Sequence, residues 1–435
     1  MKKTLIIYLY FIFVVSINAQ QLKDVYVLSE GGFSAGTSML SKLNITSQIF
    51  TQDIFSPGNI GLYPDGMIIK NDKVYIVEQG SFGGAGKIYK LDTNGTVINS
   101  KEVGTNPYSI TIANGKIYIT NGPASRVSVL NENDFSKVKD LTVGVYPQEI
   151  ISYNNKVFVA NNGIWGGASD STITVIDSET DEVIHNIKVK LNPSSLAITN
   201  DGKLLVGCPS GIIYKVDLTT FEKVDSFLVT DSGFGNDIYV DKSSDMIYFK
   251  SGSNKIIGLN LNAGETKTVV DDPNIIFAYG YSYDYIAGKH YLTDAKDFSS
   301  NGTLNVYNND GELLNSYNTG IAPRRVALNY DENTVSINNE LISSVFKLDQ
   351  NYPNPFNPNT IIEFSIPSNA NRETSNVKLI VYDILGKEVS VLVDARKSSG
   401  NYSIKFDAGN LSSGIYIYKL QSGNFISTRR MMLIK

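Results

Sequence analysis

The chain has 435 residues, of which 42% are apolar and 19% charged, with one cysteine and two histidines. A lone Cys208 excludes an intramolecular disulfide framework, and a chain of this length has ample core without a metal or disulfide staple. The formal charge of −5 is uneven: residues 4–351 carry 26 Lys or Arg against 37 Asp or Glu, which disfavours nucleic acid and anionic lipid as partners, whereas residues 352–435 carry ten against six.

In chain order, Lys2 and Lys3 precede an apolar run over residues 5–15 and a small, polar end at Asn18 and Ala19. This pattern predicts a signal peptide over residues 1–20, cleaved near Ala19 or Gln20, so that the mature chain has no transmembrane segment. An uncleaved anchor helix is the competing reading. No cysteine follows the apolar run, which excludes lipoprotein attachment there.

Residues 21–333 are built from one repeated unit. In residues 107–143 it reads SITIA, KIYIT, RVSVL and KVKDLTV, four alternating β-branched runs separated by Asn, Gly, Asp and Pro. The register position of Tyr118 recurs as Tyr26, Tyr75, Phe158, Leu205, Tyr248 and Tyr291, a period of 40 to 49 residues. Each third run ends in an apolar residue followed by Asn or Asp, at Asn44, Asp92, Asn131, Asp177, Asp217, Asn260 and Asn308, a set of Asx-turn starts. Four short strands per repeat of this length predict an all-β, seven-bladed β-propeller. The first repeat begins at its second strand, and residues 326–329 are expected to supply the missing innermost strand and so close the ring.

With the first strand of each repeat running from top to bottom, the second-to-third and blade-to-blade loops emerge on the top face. Four second-to-third loops each set one aromatic among Gly, Ser and Ala: Phe33, Phe82, Trp165 and Phe298. These rings either form a lid over the central channel or a ligand-binding surface, with Trp165 facing the other three across the ring. Tyr63, Tyr108 and Tyr146 in the blade-to-blade loops are expected to add hydroxyls, and Arg324 or Arg325 to pair a ligand carboxylate or phosphate. Asp294, Asp297 and Ser299 are more simply solvated than a calcium site, since hard cations take six or more oxygens. No metal site and no cofactor are expected.

The repeats, through NGKIYITNG at residues 114–122, NNKVFVANNG at 154–163 and VIDSETDEVI at 175–184, resemble the YVTN or YncE-like propellers of bacterial surfaces over about residues 22–331. Some members of that group capture cobalamin, but they are lipid-anchored, and this chain lacks the cysteine for it. Enzymes of the same architecture need histidines or clustered carboxylates at the channel. By the register, His185 falls on an outer fourth strand and His290 at the bottom of a second strand, so no catalytic residue is expected.

Residues 334–351 read as a linker. Residues 352–435 alternate apolar and polar with turn signals about every ten residues, which predicts a small Ig-like antiparallel β-sandwich. The motifs NYPNPFNP at 351–358, YDILGKEV at 382–389, LSSGIYIYKL at 411–420 and the basic-then-apolar end resemble the type A C-terminal sorting domain of the type IX secretion system. That resemblance implies the type IX machinery and a sortase as partners, and a location outside a diderm bacterium, secreted or at the outer surface. The whole then reads as an exported propeller that binds a small molecule, glycan or peptide on its loop face. The competing reading is a structural or adhesive surface protein.

Overall fold

The computed structural model describes residues 21–32, 36–56, 64–81, 83–164, 167–229, 233–331, 347–348, 351, 353–366, 375–384, 386–397, 400–422 and 425–435. Residues 1–20, expected to be a signal peptide, nearly all of residues 334–351, expected to be a linker, and Phe33, Tyr63, Phe82 and Trp165 lie outside the described residues. The chain divides into two units, Met1–Ser336 and Ile337–Lys435.

Among the described residues the first unit holds seven four-stranded antiparallel sheets. The third has the order Pro107–Ala113, Lys116–Asn121, Arg126–Asn131, Lys137–Thr142. The first consists of Pro323–Tyr330, Leu22–Ser29, Met39–Asn44 and Ile49–Phe55 in that order. Its innermost strand thus comes from the far end of the unit, pairing Val27 with Val326 and Val25 with Leu328. The innermost strands touch in succession from sheet to sheet and back to Pro323–Tyr330, which closes the ring as the missing first strand predicts.

Each blade is folded by local chemistry visible in its sequence. In the second, third and fourth blades the first turn is a two-residue hairpin in which both central residues take positive φ, as at Asn114 and Gly115 or Asn154 and Asn155; Asn and Gly tolerate this conformation and its twist matches the strands. The seven Asx positions all work as turn starts: the Oδ1 atoms of Asp92, Asn131, Asp177, Asp217, Asn260 and Asn308 accept the backbone N–H two residues on, and that of Asn44 accepts Ser47 N–H.

Between blades the register residues form the core. Tyr26, Tyr75, Tyr118, Phe158, Leu205, Tyr248 and Tyr291 are all buried. Where the residue is tyrosine its hydroxyl can clasp the next blade: Tyr26 donates to Thr93 O at 3.0 Å, Tyr75 to Glu132 at 3.3 Å and Tyr118 to Asp181 at 2.5 Å. Two residues on, Thr120 and Thr293 donate to the carbonyls of Gln148 and Pro323, at the start of the next innermost strand. Buried rings thus carry their polar tips to acceptors of the next blade, a carbonyl for Tyr26 and carboxylates for Tyr75 and Tyr118.

The second unit has a three-stranded sheet, Lys347–Leu348, Asn359–Ile366 and Gly400–Asp407, and a four-stranded sheet in the order Glu388–Lys397, Ser375–Asp383, Gly414–Ser422, Phe425–Leu433. Both sheets feed one core, built on Phe364, Leu379, Val381, Phe406, Tyr418 and Leu420. Two antiparallel sheets packed on a shared core are the architecture that the alternation of its sequence predicts.

Candidate functional site

The top of the ring is where the innermost strands begin, and there the charged residues converge. Arg325 of the first blade donates to Glu149 of the fourth, and its other guanidinium nitrogen lies 3.6 Å from Asp237 of the sixth. Arg324 donates at 3.4 Å to Asp237 and at 3.4 Å to the Tyr279 carbonyl of the seventh blade. Each guanidinium also faces a ring, Arg324 that of Tyr279 at 5.5 Å and Arg325 that of Tyr108 at 6.0 Å. Arginine suits such a place because its planar fork serves two carboxylates and an aromatic face together. Both arginines expected to meet a ligand therefore already hold carboxylates of the chain, and Tyr108 stacks on one of them. Tyr146, at φ +52° in the connector before Pro147, lays its ring over Gly122, where a Cβ would come within 3.1 Å of it.

Phe298 lies beside this network. Its ring meets Phe277 edge-on at 4.9 Å and Tyr279 at 5.0 Å, so three aromatics form one cluster at the top of the seventh blade. Ile276 and Phe277, in the connector from the sixth blade, are 65% and 44% exposed. Their exposure is enforced by their backbone. The buried Asp294 carboxylate accepts the N–H groups of Ile276 at 3.2 Å and Phe277 at 2.8 Å. Asn254 donates to the Ile276 carbonyl at 3.0 Å and accepts Ala278 N–H at 3.1 Å, and Ala295 N–H donates to the Phe277 carbonyl at 2.9 Å. With these groups pinned, the two side chains cannot turn inward. On the opposite side of the ring Ile164 and Leu191, in the fourth blade's top loops, are also exposed.

Asp294, weighed above as a calcium ligand, is thus a backbone clamp. Asp297 accepts the N–H groups of Ser299 at 3.0 Å and Ser300 at 2.7 Å, bonds that hold its carboxyl down at about 2. Among the described residues no group of His, Cys, Asp and Glu is arranged to hold a metal ion. His185 stacks on Phe221 on an outer strand, and His290 is buried between Tyr281 and Asn309. Burial holds the His290 imidazole down to about 4, against a smaller opposing effect of Asn309.

One pattern was not read from the sequence. Three residues after each register position stand Ser29, Glu78, Asn121, Asn161, Cys208, Ser251 and Asp294, all buried. The fixed offset was the available signal. Glu78 accepts the Tyr89 hydroxyl at 3.1 Å through Oε2 while Oε1 has no partner, and burial raises its carboxyl to about 7. Lys250, two residues after Tyr248, is only 9% exposed, and burial lowers its ammonium to about 8; nearby Asp237 opposes the shift and Arg324 adds to it.

Comparison with known proteins places both units. Residues 350–435 match the secretion system C-terminal sorting domain, which directs the chain through type IX secretion to the surface or exterior of a diderm bacterium. No curated protein matches the chain. The fold is similar to that of Kuenenia stuttgartiensis hydrazine synthase, at 17% identity and a TM-score of 0.53 over 61% of this chain and 89% of that one. It is also similar to a quinonprotein alcohol dehydrogenase-like protein from Bacteroides thetaiotaomicron, at 16% identity and a TM-score of 0.56 over 72% and 79%. At such identities the likeness is one of fold. The YVTN or YncE-like likeness of the repeats stays a resemblance. Residues 23–324 match the domain of unknown function DUF5074, and the chain belongs to that family.

Proposed function

We propose that the propeller is an exported binding module whose ligand contacts the loop face, and that it catalyses no reaction. In this reading residues 1–20 are a cleaved leader, residues 21–333 the binding module and residues 334–351 a linker. Residues 352–435 are then the export address, removed by a sortase after passage.

The observation that carries the reading is the Ile276–Phe277 pair. A soluble surface rarely fixes two large apolar side chains outward with so many backbone hydrogen bonds; a recognition surface gains from it, because the anchor is ordered before the partner arrives. Phe298 and Tyr279 extend the patch toward the channel mouth; Phe33, Phe82 and Trp165, expected from the sequence to add to it, lie outside the described residues. A structural or adhesive role is the second reading. It is favoured by the Arg325 crossing, which fills the mouth with paired charge. Screening the purified protein by thermal shift against small molecules, glycans and peptides, with a Phe277→Ser, Phe298→Ala variant beside it, tests the proposal. A hit lost in the variant at unchanged melting temperature supports it; binding that survives the change rejects this face.

A further inference from the structure

Among the described residues of the channel mouth, six charged side chains differ in how they are satisfied. Arg324 and Arg325 hold Asp237 and Glu149, and Glu30 accepts the Tyr279 hydroxyl at 2.8 Å. Lys250 stands apart: more than nine-tenths buried, it donates no hydrogen bond to, and forms no ion pair with, any described residue. The side chain is enclosed but its ammonium is not closed off from solvent, so an anion entering the mouth can supply a counter-charge there.

The register shows where that charge points. Lys250 occupies the position of Thr120 and Thr293, whose hydroxyls reach the start of the next blade's innermost strand. For the sixth blade the next innermost strand is Ala278–Asp284, which follows directly on Ile276 and Phe277 and carries Tyr279. A lysine reaches three atoms farther than a threonine hydroxyl, so its ammonium passes that backbone and arrives near Asp237 and Arg324. The exposed Phe277 and half-buried Phe298 stand over the same seam.

Resting on the loop-face reading, we infer that Lys250 receives the oxyanion of an amphiphilic ligand, a carboxylate or phosphate whose attached apolar group packs on Phe277 and Phe298. The arginines orient that anion rather than neutralise it, since their charge is already met. The site is chemically specific: an anion lacking the apolar group loses the aromatic contact, and a neutral analogue leaves the ammonium unpaired.

Isothermal titration of the full secreted chain with inorganic phosphate, phenyl phosphate, phenylacetate and neutral 2-phenylethanol tests this, using wild type, Lys250→Met and Phe277→Ser. At least one aromatic anion should bind roughly tenfold tighter than 2-phenylethanol, the usual scale of one charge-assisted hydrogen bond. Comparison of the two aromatic anions tells phosphate from carboxylate. Lys250→Met should erase the preference while keeping or raising the melting temperature, and Phe277→Ser should weaken the aromatic anions toward inorganic phosphate. Equal binding of charged and neutral probes by the wild type, no anion binding at millimolar concentration, or a preference that survives Lys250→Met would each overturn the inference. Binding lost in Phe277→Ser but untouched by Lys250→Met would leave the loop-face reading standing and remove this one alone.

Discussion

Arg325 in the first blade and Glu149 in the fourth are 176 residues apart in sequence and form a hydrogen-bonded ion pair at the start of two innermost strands. Both side chains are mostly buried, and Asp237 of the sixth blade shares the guanidinium. The pair thus ties together three blades that are not neighbours. Removing one member leaves a buried charge short of a partner, so Glu149→Leu should cost about 3 kcal/mol in urea unfolding. Adding Arg325→Met should return part of that loss, and a simple sum of the two effects would show that the groups do not interact.

Glu78 makes the propeller lose stability as pH rises from mild acid to neutral. Its carboxyl titrates near 7 in the fold against 4.5 when unfolded, so the folded state holds a proton that the unfolded state releases between those values. Stability from this group is therefore complete below pH 4.5 and is lost as pH rises through about 7. Glu78→Gln should stabilise by about 3 kcal/mol at pH 8 and by almost nothing at pH 4. Melting curves of the two proteins across that range check the sign.

His290 acts in the opposite sense. Its imidazole titrates near 4 in the fold against 6.5 in the unfolded chain, so the unfolded state binds the extra proton between the two. Stability is complete above pH 6.5 and falls as pH drops through about 4, by about 3 kcal/mol in all. His290→Gln should flatten this acid limb. An unchanged limb would mean that another group causes acid unfolding.

The Asp294 clamp predicts a double loss. Its carboxylate accepts backbone N–H groups from Ile276, Phe277 and Lys296, and such charge-assisted bonds contribute about 1.5–3 kcal/mol each before coupling. Asp294→Ala should therefore lower stability by on the order of 3 kcal/mol and raise hydrogen exchange at residues 276–278. It should also weaken any loop-face ligand more than its fall in stability explains, because the apolar anchor is no longer held outward.

The ring closure can be tested by where the chain is cut. Ending it at residue 322 removes the strand that pairs with Leu22–Ser29 and exposes two sheet edges, which should yield aggregated protein on size exclusion. Ending it at residue 336 leaves every described sheet of the first unit complete and should give a monodisperse product.

The repeat was legible because its chemistry is local. Tyr118 and its counterparts, the Asx positions and the Asn-Gly hairpins each act within a few residues, so spacing alone exposes them. The absent first strand at Val25 was equally plain, since a blade lacking one edge needs a donor. The channel mouth was not legible in the same way. Arg324 meets Asp237 across 87 residues, and the ring, not the sequence neighbourhood, decides which innermost strands face each other. Ile276 and Phe277 look like the start of a buried strand until the Asp294 carboxylate, 17 residues beyond Phe277, is seen to hold their backbone. Phe298 was expected on the loop face from its polar surroundings, but its half-buried place between Phe277 and Tyr279 depends on a connector from the preceding blade.

The order of the chain gives the closing strand one more consequence. Pro323–Tyr330 is the last strand of the ring, and the sorting domain follows it from residue 350. Any nascent or nicked polypeptide that stops before this strand lacks the export address as well. A transporter that reads only the tail therefore receives molecules in which every blade has already been synthesised, so tail recognition doubles as a check on completeness without inspecting the cargo.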